Sequence, residues 1–119
     1  MASFAHLAYV LERAADIMLG DHDLDLNEAL ARAIWGHQPA SLGDVTDAEA
    51  ADWYIARRVT EIQFEACPTS VRSAARHMAE LFHRIDAAGD RPHVEGDDLD
   101  KVALLMWEQA HRVELAGCP

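Results

Sequence analysis

The chain has 119 residues, half of them apolar, which supplies one domain with a core and leaves no length for a second. Its 21 Asp and Glu outnumber 10 Lys and Arg, and the formal net charge of −11 disfavours direct attraction to nucleic acid or anionic lipid while leaving basic proteins and small cations as partners. Two cysteines, Cys67 and Cys118, make neither a dense disulfide framework nor a C-x-x-C pair; with no secretion leader at the start and no membrane-length apolar run, the expectation is a soluble cytoplasmic protein.

The first helix is expected from about Ala5 to Leu19, capped by Ser3 or a neighbour. Phe4, Leu7, Ala8, Leu11, Ala14, Ala15 and Met18 form its stripe. The stretch DHDLDL follows Gly20 and resembles the start of a calcium loop. From Asp21, however, the sixth position is Leu26 where that loop needs glycine, and the twelfth is Arg32 where it needs a bidentate glutamate. Asp25 followed by Leu26, Asn27 and Glu28 instead reads as an N-cap with an acidic third helical residue. A short second helix therefore runs from Leu26 to about Trp35, stopped by Gly36 and Pro39.

Thr46 and Glu49 in TDAE form a capping box that opens a long third helix from Asp47 to about Ala66, ended by Pro68. Its expected inner stripe is Ala48, Ala51, Ile55, Val59, Ile62 and Ala66. The opposite side carries Trp53, Arg57, Thr60 and Phe64 at spacings of four, three and four, a second stripe to be covered by the 36–46 loop or another helix of the same chain, by a second copy, or by a different protein. A fourth helix from about Ser70 to Ala88 uses Val71, Ala74, Ala75, Met78, Leu81, Phe82 and Ile85. After Gly89, the polar GDRPHVEG is the expected flexible connection. Asp97 can cap a fifth helix built on Leu99, Val102, Ala103, Met106, Ala110 and Val113; Leu104 faces away from Met106, with Leu105 and Trp107 on the flanks. The expected fold is all-α: a compact four- to five-helix bundle with a short second helix, spanning residues 1–119 as a single helical domain.

Two E-x-x-H pairs, Glu80 with His83 and Glu108 with His111, match the spacing of dinuclear metal bundles, and Glu12 with Glu61 or Glu65 would complete the ligand set. Helical periodicity places both pairs roughly 160 to 220° from the middle of their core stripes, facing solvent or a contact surface. No cofactor is expected on this reading. His22 joins the aspartate cluster, His37 sits beside a turn, His93 lies in the polar loop, and His77 sits beside the apolar stripe of the fourth helix. Cys67 is a nucleophile only if a base such as His77 or His83 comes within hydrogen-bond reach. Ser41, Ser70 and Ser73 lack a nucleophile-elbow context. Arg72, Arg76 and Arg84 make a weak basic run that Glu80 and Asp86 interrupt.

The function expected is that of a small acidic helical protein-interaction module, a non-enzymatic regulator or scaffold working as a homo-oligomer, with the dimer as the favoured assembly. The contact residues are Trp53, Arg57, Thr60, Phe64, Leu104 and Trp107. One alternative is a nucleic-acid mimic, whose acidic clusters at residues 21–25, 44–52 and 95–100 occupy a basic protein groove. A second is a metal-binding protein or enzyme built on the E-x-x-H pairs.

Overall fold

Each helix starts where a side-chain oxygen takes up an otherwise orphaned amide hydrogen. In the computed structural model, which describes residues 3–21, 23–36, 46–89 and 98–113, α1 spans Phe4–Gly20, α2 Leu26–Trp35, α3 Asp47–Ala66, α4 Val71–Ala87 and α5 Leu99–Val113. Ser3 accepts from the His6 amide at 3.1 Å, Asp25 from Glu28 at 2.8 Å and Ser70 from Ser73 at 3.0 Å. Thr46 and Glu49 form the reciprocal capping box, and its two bonds from Thr46 hold the Glu49 carboxyl below its ordinary value. At α5 the cap is Asp98, which accepts from Asp100 at 3.1 Å; Asp97 lies outside the described residues. So do His22, the 37–45 connection with Pro39, His37 and Ser41, the 90–97 connection with His93, and residues 114–119 with Cys118.

DHDLDL starts a helix. Asp25 caps α2, and Asp21 turns the chain by accepting the Asp23 amide at 3.1 Å. Gly36 ends α2 at φ +80°, in the left-handed region where a side chain would be strained. Asp25→Ala is expected to cost about 1 kcal/mol in urea unfolding through the lost cap. Asp23→Ala, which removes a side chain that accepts no cap bond, is expected to change stability by less than about 0.5 kcal/mol.

The five helices form a helical bundle with one short member. Its radius of gyration is 13.4 Å, against about 13.5 Å for a compact chain of this length. The most extensive pairing is α1 with α4. Ala8, Ala14 and Ala15 on α1 and Ala74, Ala75 and Ala79 on α4 are all buried, and such small residues let two helix backbones approach closely. Phe82 is fully buried and meets the Phe4 ring edge-on, with centroids 5.1 Å apart. Leu7, Leu11, Met78, Ile85 and Met106 complete the centre.

α3 and α5 run in the same direction: Tyr54 donates to Asp100 near their starts, and Gln63 meets Trp107 and His111 towards their ends. The buried arc of α3 is Ile55, Ala56, Val59, Thr60 and Gln63, rotated by roughly 70° from the stripe expected from apolarity. Ala48 and Ala66 are exposed. The displacement has a physical cause: α3 is shared among α5, α4, α2 and, least, α1, and the alanines of the expected stripe offer too little area to set its rotation.

Candidate functional site

The paired E-x-x-H residues separate. Glu80 and His83 are exposed on α4, and His83 Nε2 lies 2.9 Å from Glu12 Oε2 on α1. With both side chains about half exposed, this is a surface pair of small energetic weight. Glu108 is half-buried on α5, whereas His111 turns to α3 and lies 2.9 Å from Gln63 Oε1. Among the described residues, no three His, Cys, Asp or Glu side chains are grouped to hold a metal ion. Cys67, at the end of α3, is buried and disulfide-bonded, and a disulfide sulfur carries no thiolate for nucleophilic attack.

The proposed contact residues distribute over several environments. Trp53 is half-buried against the core and donates its indole N–H to the Asn27 carbonyl at 3.1 Å, joining α3 to α2. Arg57 stacks on both Trp53 and Tyr54, 5.1 and 5.0 Å from the ring centroids, and its Nε is 3.3 Å from Glu61. Thr60 is fully buried and donates to the Ala56 carbonyl at 2.8 Å, so its surface is already spent inside the chain. Phe64 and Trp107 are half-buried, and Leu104 is 43% exposed. The outer α3–α5 seam is closed by charge: Arg58 lies 3.3 Å from Glu61 and 3.7 Å from Asp100, one helical turn before Leu104.

A buried polar site lies between α3, α4 and α5. Gln63, fully buried, takes the Trp107 indole N–H on Oε1 at 3.0 Å and meets His111 Nε2 on the same oxygen at 2.9 Å. Indole nitrogen only donates, so the carboxamide oxygen must face it; His111 Nε2 then donates to that oxygen and carries a proton. The His111 ring packs on Trp107 with centroids 4.3 Å apart, and His77 stands 6.2 Å from His111. Gln63 Nε2 and His77 Nε2 are both buried without a hydrogen-bond partner among the described residues. Burial holds the His77 imidazole below its ordinary value. The arrangement joins α3 and α5 through two hydrogen bonds to one carboxamide, with the His77 ring of α4 close to His111.

Polarity alone hid Gln63 from the apolar pattern. Trp107 and His111, one turn apart, were the available signal, because two donors sharing a buried face require an acceptor opposite. At the other end of the bundle, His6 lies 3.3 Å from Asp52, whose carboxyl is raised by burial against the opposing pull of His6. Comparison with protein-family models, curated proteins and solved structures finds no match.

Proposed function

We propose that this chain is a small acidic helical interaction module that regulates or scaffolds another macromolecule as a homodimer, without chemistry of its own. The observation that supports it most is the outer side of α5. There Leu104 stays 43% exposed, with Leu105 and Trp107 half-buried on its flanks and Phe64 half-buried on the adjoining α3. A second copy is the proposed occupant, because the Arg58, Glu61 and Asp100 charges beside Leu104 include both signs and a two-fold contact can pair them reciprocally. The net charge of −11 favours a basic protein as the macromolecule regulated and disfavours direct nucleic-acid binding.

Leu104→Lys is expected to convert the dimer to monomer in light scattering, weakening self-association at least about tenfold, since burying a lysine without a partner is unfavourable. A wild-type protein that is strictly monomeric across the accessible concentration range rejects self-association and leaves only a heterologous partner.

No helix among the described residues is long and apolar enough to cross a membrane. The low cysteine count favours the cytoplasm as the proposed compartment, whereas the disulfide at Cys67 favours an oxidising one. Thiol alkylation in cells lysed directly into denaturant distinguishes them: Cys67, buried in the folded protein, is labelled if the protein resides in a reducing cytoplasm and protected otherwise.

A further inference from the structure

We propose that Gln63, His77, Trp107 and His111 form an acid-sensitive latch that releases α5 from α3 and α4 when the imidazoles gain protons. The inference stands on the buried cluster and does not depend on self-association. Three helices each contribute to it, and Gln63 Oε1, which joins α3 to α5, already takes two N–H groups. Protonation gives each ring an N–H on both nitrogens. His77 Nε2, buried and unpartnered, would then become a donor with no acceptor, and the second imidazole, 6.2 Å away, would add like charge.

On α4, Glu80 favours the charged form of His77 and Arg84 opposes it. Glu80 is exposed, so solvent weakens its help. On α5, Glu108 lies one turn before His111 and is half-buried. On α3, the buried neighbours Val59 and Thr60 carry no charge.

The sign follows from linkage. Burial is the largest influence on His77 and lowers its folded value below the ordinary 6.5. The unfolded chain therefore binds more protons in this window, so the latch is at full strength above about pH 6.5 and weakens as pH falls through the lower folded value. α5 is the element released because it is held mainly by α3 and only slightly by α4, and neither pairing is as extensive as that of α1 with α4.

The test is hydrogen exchange and histidine-ring NMR on the full chain between about pH 8 and pH 5. Protection factors remove the intrinsic pH dependence of exchange. Those of α5 amides are expected to fall at least about tenfold, with the Trp107 indole resonance moving at the His77 midpoint, while α1 and α4 keep native chemical shifts. In His77→Leu the fall shrinks to less than about twofold, and the exposed-site variant His83→Gln retains the wild-type response. An unchanged fall in His77→Leu overturns the latch, as does loss of native α1 and α4 shifts together with α5. Should His77→Leu fail to fold, wild-type NMR still decides: α5 remaining protected after His77 has titrated overturns it.

Discussion

Phe82→Ala is expected to lower the unfolding free energy by about 3–5 kcal/mol in urea or thermal denaturation. The side chain is fully buried, and its removal leaves a cavity between α1 and α4. The flanking Ala75 and Ala79 are too short to extend into that space, so relaxation by side-chain movement is limited. The edge-on contact with Phe4 is lost as well, a further contribution of about 0.5–1.5 kcal/mol within aromatic pairs. Since domains of this size are stable by about 5–15 kcal/mol in total, one substitution removes a large share. The exposed aromatic provides the contrast: Tyr9, 55% exposed on α1, is expected to change stability by less than about 0.5 kcal/mol on replacement by alanine. A Phe82→Ala cost below about 1 kcal/mol would show that the α1–α4 seam is not the centre of the core.

Gln63→Leu should destabilise the protein by about 2–4 kcal/mol even though it replaces a buried polar side chain with an apolar one. The leucine relieves the unpartnered Nε2, but it strands the Trp107 indole N–H and the His111 Nε2–H that now share Oε1. Two orphaned donors outweigh one relieved group. The loss should appear in urea unfolding together with an upfield shift of the Trp107 indole proton, the signature of a broken hydrogen bond. Equal or greater stability in Gln63→Leu would mean that Trp107 and His111 find water instead, and that the cluster holds no helices together.

The sequence pattern and the structure agree most closely where the signal is local. Leu26–Trp35 and Asp47–Ala66 begin after Asp25 and Thr46, because a cap acts on amides two or three residues ahead and needs nothing from the rest of the chain. The stripes of α1 and α4 were equally legible: Leu7, Leu11, Met78 and Phe82 are large, regularly spaced residues on helices with one dominant partner. α3 departs from its pattern because it meets all four other helices, so that Thr60 and Gln63 are buried while Ala48 and Ala66 reach the surface.

The same distinction separates the two E-x-x-H pairs. Their outward placement followed from helical periodicity, and His83 on the surface with Glu12 agrees with it. His111 belongs instead to an inward contact, because Gln63 on the parallel α3 brings an acceptor to the flank of α5. Helix boundaries, the all-α class and the role of Asp25 as the start of α2 were therefore determined by residues within a few positions of one another. Which flank of α3 is buried, and that Trp107 and His111 meet one carboxamide with His77 beside His111, was decided only by tertiary packing: these contacts join residues far apart in the chain, and their energies depend on rotations that no single helix specifies.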